Sequence, residues 1–330
     1  MRVNIYIDSG THIELKDYRI VIDPTKKHDD VDLAIISHAH SDHYTSSIFK
    51  TDYPKLMSFE TLEILNSRIR KESNKIKNFQ LIKENETLKF GKNKEVKITA
   101  YNSGHCVGGL EFLIEINDRK IVYTGDFCLE SRLGFKRGKL IRGTDLIIDS
   151  TYFDEQFQFP PRNQIYSDIL KWIKSRLIDQ NQEQLIIFGR RLGTCQELTR
   201  LLNFSTLKKD YNLSIYTHPL VYWINQVHSD YYENLGDYEY LKNPLKNKTE
   251  YGTKVNKDGK SVYIAPFFLS TRKKIEKLFP DYNIANFGLV TGWTISNRFY
   301  IKGFPLTSHA DYNQIMYYKS KSGAKNVYFV

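Results

Sequence analysis

The segment Ser37-His38-Ala39-His40-Ser41-Asp42-His43 limits what this chain can be more than any other stretch. It directly follows residues 31–37, an apolar run that reads as a buried strand. Alternate side chains of an extended segment face the same way, so His38 and His40 can grip one cation. Asp42 and His43 fall in the turn that follows, displaced toward a second position. Imidazole and carboxylate are ligand types that a borderline cation such as zinc accepts, and a hydrolytic centre keeps one position open for water. A His-rich surface loop would use the same letters, but three His and one Asp within six residues at a strand end form a metal-ligand pattern.

Two more candidates lie farther along. His105 follows a strand at residues 96–101, within Ser103-Gly104-His105-Cys106-Val107-Gly108-Gly109, where glycines let the backbone turn tightly around a ligand. Asp126 ends the strand of Val122-Tyr123-Thr124-Gly125-Asp126-Phe127. Taken singly, each would read as a turn residue. Their order, and their common place at strand ends, reads as a ligand set.

The first half alternates short strands with Gly, Asn and Asp turns. Strands are expected at residues 18–23, 31–37, 96–101, 110–116, 120–124 and 145–148, with a hairpin turn at Asn117-Asp118-Arg119. Helical spacing marks residues 58–69, 164–178 and 194–202. After Phe153 strands and helices alternate, with strands at 184–189 and 213–217, which suits a separate α/β lobe. After Asp281 short strands return. The expected organisation is a first domain at 1–155, an inserted lobe at 156–283 and a return to the first domain at 284–330. A chain of 330 residues, 41% hydrophobic, can bury cores of this size. Three cysteines without paired spacing argue against both a disulfide framework and a thiolate zinc cluster. Residues 1–10 read as a strand rather than a leader, and no run is long enough to span a bilayer, so a soluble, cytoplasmic protein is expected.

In their order these motifs resemble the metallo-β-lactamase superfamily. The resemblance implies an αββα sandwich and two zinc ions: His38, His40 and His105 on one, Asp42 and His43 on the other, Asp126 bridging. Asp23, in Ile20-Val21-Ile22-Asp23, matches the first superfamily motif, an Asp that buttresses the histidine loop; on its own it also reads as a turn residue before Pro24. The second half resembles the β-CASP nucleases, the group of the cleavage and polyadenylation nuclease and Artemis. Asp149-Ser150-Thr151-Tyr152 looks like the junction closing the first part of their lactamase fold. Residues Gly189 through Leu198 are similar to their first extra motif, with Glu197 in the acidic place, and Phe304 through Tyr312 resemble the second, centred on His309. A His paired with a carboxylate beside a metal suits a general acid. Only the resemblance joins Glu197 to His309, since Glu197 alone reads equally as a helix-surface residue.

The resemblance implies a zinc-dependent nuclease acting on RNA or single-stranded DNA, with catalytic roles for Asp42, Glu197 and His309. A small-molecule hydrolase of the same superfamily, or a scaffold subunit of a nucleic-acid-processing complex, are the alternatives. A net charge of +10 supports a polyanionic partner. Arg132, Lys136, Arg137, Lys139 and Arg142 form an acid-free segment after Asp126 that suits either substrate phosphates or a solvated loop. Tyr216, His218, Tyr222, Trp223, Tyr231, Tyr232, Tyr238 and Tyr240, followed by Lys242, Lys246, Lys248, Lys254, Lys257 and Lys260, offer aromatic platforms for unpaired bases, most of them expected in the core or solvated. A homodimer or a processing complex is also expected. RNA-acting relatives carry a further ligand His just after a C-terminal strand; here Asn326-Val327-Tyr328-Phe329-Val330 resembles that strand without the His, so the second zinc is expected to bind weakly unless the Val330 carboxylate or a neighbouring chain supplies a donor.

Overall fold

The computed structural model describes residues 3–67, 76–241, 259–279 and 283–330. The chain divides into two compact units: Met1–Ser131, Lys136–Phe153 and His309–Val330 form the first, Arg132–Phe135 and Asp154–Ser308 the second.

The first unit holds two six-stranded sheets. One follows chain order through Asn4–Ile7, Thr11–Glu14, Arg19–Ile22, Leu33–Ile35, Lys55–Met57 and Phe79–Leu81. The other runs Asn326–Phe329, Asp145–Ile148, Arg119–Tyr123, Leu110–Ile116, Val96–Asn102 and Thr87–Phe90. Ile13, Ile20, Ile22, Leu33 and Ile35 share one buried cluster with Ile98, Phe112, Ile114 and Ile121, which places the sheets face to face. The outward residues Val122, Leu146 and Ile148 pack instead with Ile315 and Tyr318 of the helix Tyr312–Lys321. Strands covered on both faces must be apolar at nearly every position, which is why Ile121 to Tyr123 and Leu146 to Ile148 show no polar alternation. This is the αββα sandwich. Strands expected at 110–116 and 145–148 coincide with those observed, and Asn117, at φ 51°, supplies the left-handed turn between Leu110–Ile116 and Arg119–Tyr123.

The second unit is built on a parallel sheet in the order Glu239–Tyr240, Ser214–Thr217, Ser261–Pro266, Gln184–Gly189, Phe287–Val290 and Lys302–Phe304. Leu185, Ile187, Val262 and Ile264 pack on one face with Ile165, Ile169, Leu198 and Leu202 from the helices Arg162–Lys174 and Thr194–Asn203. Ile186, Phe188, Tyr263 and Leu289 face the other way, against Ile275 and Phe279. The return to the first unit, expected at residue 284, comes at His309. Residues 287–290 and 302–304 are short and Gly-containing like sandwich strands, but they extend the parallel sheet by pairing Ile186 with Phe287 and Val290 with Phe304.

His228, fully buried on the helix Pro219–Tyr231, lies 4.7 Å from the ring of Phe135 and 5.3 Å from that of Tyr232. Burial, with smaller contributions from Arg132 and Arg200, pushes its pKa down to about 3. An unfolded chain takes up a proton near the ordinary pKa of about 6.5 while the folded chain does not. Stability is therefore complete above that value and falls as the pH drops toward 3. Between pH 7 and pH 5 one such group contributes a loss of about 2 kcal/mol. His228→Phe should reduce the drop in denaturation midpoint between these two pH values; an unchanged drop would show that His228 is not the group responsible.

Candidate metal centre

All the converging side chains belong to the first unit: most stand on the loops that follow its strands, and His309 stands just before the helix Tyr312–Lys321. Asp23 follows Arg19–Ile22 and takes up φ 49°, a left-handed conformation uncommon outside glycine. Its buried carboxylate accepts hydrogen bonds from Ser37 N (2.7 Å), Ser37 Oγ (2.5 Å) and Tyr123 OH (2.8 Å), and meets His43 Nδ1 at 2.8 Å. The strained turn is thus held by four partners, and it fixes the start and the end of the histidine loop. Ser37 Oγ also lies 3.0 Å from His38 Nδ1, which aims His38 Nε2 at the centre.

At that centre His38 Nε2 lies 2.8 Å from His40 Nδ1 and 3.3 Å from Asp126 Oδ2. His105 Nε2 is 3.1 Å from His40 Nδ1 and 3.2 Å from Asp126 Oδ2, and His40 Nδ1 is 4.0 Å from Asp126 Oδ2. Zinc with bonds of about 2.0–2.1 Å holds tetrahedral donors about 3.3 Å apart, so the spacing of these four atoms suits one cation. The donor chemistry suits it too. Three buried imidazoles and a carboxylate can be joined pairwise by ring protons, whereas a cation at their centre satisfies all four together.

Asp126 extends the cluster in two directions. Its Oδ1 is 3.2 Å from His43 Nε2, and its Oδ2 is 3.6 Å from Nε2 of His309, whose Nδ1 is 3.0 Å from Asp149 Oδ2. Burial pushes the pKa of Asp126 upward, but His43, His309, His105 and His38 outweigh it and hold the carboxyl well below the usual range. For His43 burial opposes the charge, and Asp126 and Asp23 on its two nitrogens overcome that and raise its pKa well above the ordinary imidazole value. His38 moves the other way, lowered by burial and then by His43. Asp42, expected beside His43, is exposed on the turn.

His105 rides on a loop that only glycine permits. Gly104 has φ 74°, and a Cβ there would stand 2.2 Å from Cys128 O and 2.3 Å from Gly138 N, both rigid backbone. Gly104→Ala should lower stability by about 3 kcal/mol or more, read as a fall of about 6–12 °C in melting temperature. Any metal held by the cluster should also bind less tightly, because His105 is displaced. A melting temperature within 2 °C of the parent, roughly the limit of a neutral change, would contradict the tight packing.

Two sequence assignments need correction. Glu197, which the resemblance pairs with His309, is fully buried in the second unit, with Arg132 Nε (2.9 Å), Arg162 Nη1 (2.7 Å) and Tyr166 OH (2.5 Å) donating to it. His309 takes its carboxylate from Asp149 instead. Arg132, expected to meet substrate, is consequently buried as the partner of Glu197. Its charge is matched inside the protein. Lys136 is exposed and pairs with Glu84 at 2.8 Å, and Arg137, Lys139 and Arg142 are exposed. Among the aromatics Tyr216 is buried, Tyr222 and Tyr238 are half-buried, and Trp223 and Tyr231 are exposed. Lys242, Lys246, Lys248, Lys254 and Lys257 lie outside the described residues, and Lys260 is half-buried with its Nζ 2.6 Å from Asn181 Oδ1. For Asp149, the contact with His309 was missed. Its signal was its place after the apolar strand Asp145–Ile148, the same setting as Asp23 after Arg19–Ile22.

The family model described as "Beta-lactamase superfamily domain" matches residues 3–175. The chain belongs to the metallo-β-lactamase superfamily. Within it the likeness extends to β-CASP nucleases. An "RNase J-like protein" of Methanocaldococcus jannaschii is 27% identical over 235 residues, 66% of this chain and 54% of that protein. A "Probable DNA ligase" of Opitutus terrae is 24% identical over 293 residues, covering 86% of this chain and 25% of the relative. The chain thus spans only a quarter to about half of these relatives. A crystal structure described as a protein of unknown function from Enterococcus faecalis V583 superposes with a TM-score of 0.61 at 12% identity, over 97% of this chain and 90% of that one, a likeness of fold. Among the described residues no helix is long and apolar enough to cross a membrane.

Proposed function

We propose that this chain is a zinc-dependent nuclease that hydrolyses phosphodiester bonds of RNA or single-stranded DNA. The observation that carries the reading is the convergence of His38, His40, His105 and Asp126 beside the pair His309 and Asp149. His38, His40, His105 and Asp126 would hold one zinc, and His43 and Asp42 would serve a second that shares Asp126. When bound, zinc supplies Lewis acidity toward a phosphoryl oxygen. The chain's own residues do the rest. Asp149 holds His309 by Nδ1, leaving Nε2 as the atom from which a proton can pass to the departing oxygen. Asp23 keeps His43 and the histidine loop in register. Exposed Lys136, Arg137, Lys139 and Arg142 follow Asp126 in the chain and carry no acid among them, which suits the phosphates of a strand. The names of the relatives support the choice of nucleic acid, the RNase J-like protein above all.

Incubating zinc-loaded protein with end-labelled single-stranded RNA and DNA tests this directly. A ladder of products from either polymer, abolished by chelation, is the expected result. Intact polymers at full zinc occupancy would overturn it.

A further inference from the structure

The buried carboxylate of Glu197 has more partners than a surface helix residue needs. Its Oε2 accepts from Nε of Arg132 at 2.9 Å and is ion-paired with Nη2 at 2.8 Å, and its Oε1 accepts from Nη1 of Arg162 and the hydroxyl of Tyr166. Arg162 is itself divided: Nη1 reaches Glu197 and Nη2 donates to the carbonyl of Thr307 at 3.1 Å. Thr307 stands two residues before His309. Arg132 opens the four-residue excursion Arg132–Phe135, six residues beyond Asp126, and its guanidinium lies 4.2 Å from the ring of Phe135. Burial pushes Glu197 toward the neutral form, yet Arg132 and Arg162 outweigh it and keep the carboxylate ionised.

From these contacts we infer that Glu197 is a positioning residue: one buried carboxylate anchors both the segment leading into His309, through Arg162 and Thr307, and the Arg132–Phe135 excursion that follows Asp126. The geometry is suited to that and not to proton transfer. Its donors are side chains that hold it in place, and two of them are arginines, which do not release protons at ordinary pH. A guanidinium that bridges a carboxylate and a main-chain carbonyl fixes both by direction as well as charge. The Thr307 carbonyl is thereby tied to a point set by the helix Thr194–Asn203. The consequence for turnover rests on the nuclease reading above; the anchoring itself does not.

Hydrogen exchange read by mass spectrometry on the whole chain tests the anchor without any activity. In Glu197→Gln, amides of residues 305–310 and of 132–135 should both exchange about tenfold faster or more, because local opening of both segments becomes easier. Arg162→Lys keeps the charge and loses the fork, so it should release only residues 305–310. This milder variant decides the matter if Glu197→Gln fails to fold. Unchanged exchange at 305–310 in folded Arg162→Lys would overturn the inference, as would equal release of both segments. In a nuclease assay Glu197→Gln should lower kcat at nearly constant KM, with Glu197→Asp recovering part of it. A parent protein that cleaves nothing would refute the nuclease reading and leave the exchange result to decide the anchor alone.

Discussion

His40→Ala should lose both the zinc and the hydrolysis proposed for this centre. The Nδ1 of His40 is within 3.1 Å of the nitrogens of His38 and His105, so its removal takes away one of four donors that face a single point. A cation left with three donors and a void binds more weakly, and its loss removes the Lewis acid on which phosphodiester hydrolysis would depend. Zinc after dialysis should drop by about one ion per chain, and hydrolysis of a labelled oligonucleotide should fall about a thousandfold or more. The fold should survive, because His40 is on a loop while the sandwich core is carried by Ile20, Ile22, Leu33, Ile98 and Phe112. Undiminished zinc and turnover in a folded variant would remove His40 from the ligand set and with it the present reading of the centre.

The convergence of His38, His40, His105 and Asp126 was legible in the sequence for a local reason. Ligands in a β-sandwich come from strand ends, so His38 and His40 carry the sign in alternate positions, and His105 and Asp126 each stand just past an apolar run that reads as a strand. Glu197 was not legible in the same way. Its partners Arg132, Arg162 and Tyr166 come from segments far apart in sequence, and an acid on an amphipathic helix looks the same whether water or arginine faces it. The boundary failed for a related reason: Phe287–Val290 and Lys302–Phe304 are too short to show whether they extend a parallel sheet or rejoin a sandwich. Asp149 was readable from its strand end, but its chemistry becomes visible only once His309, 160 residues later, is beside it.

Asp149→Asn should leave the zinc proposed for the His38, His40 and His105 group in place and cut the proposed turnover by about a hundredfold to ten-thousandfold. The size of the effect follows from how the carboxylate is pinned. Oδ1 of Asp149 accepts two hydrogen bonds from Thr151, from N at 2.8 Å and Oγ1 at 2.7 Å, while Oδ2 faces His309 Nδ1. In asparagine the oxygen must stay with Thr151, where both neighbours donate, so the amide nitrogen is turned toward His309. Two donors would then face each other unless Nδ1 gives up its proton. The ring is forced into the tautomer with its proton on Nε2 and has no carboxylate to stabilise the protonated imidazole that a proton donor must pass through. His309→Ala should cost a similar factor, and the double variant should be little worse than either single one, because the two residues act as one unit. Turnover within about twofold of the parent would remove the pair from the reaction, and a loss of zinc equal to that of His40→Ala would make Asp149 and His309 ligands instead of a proton-handling pair.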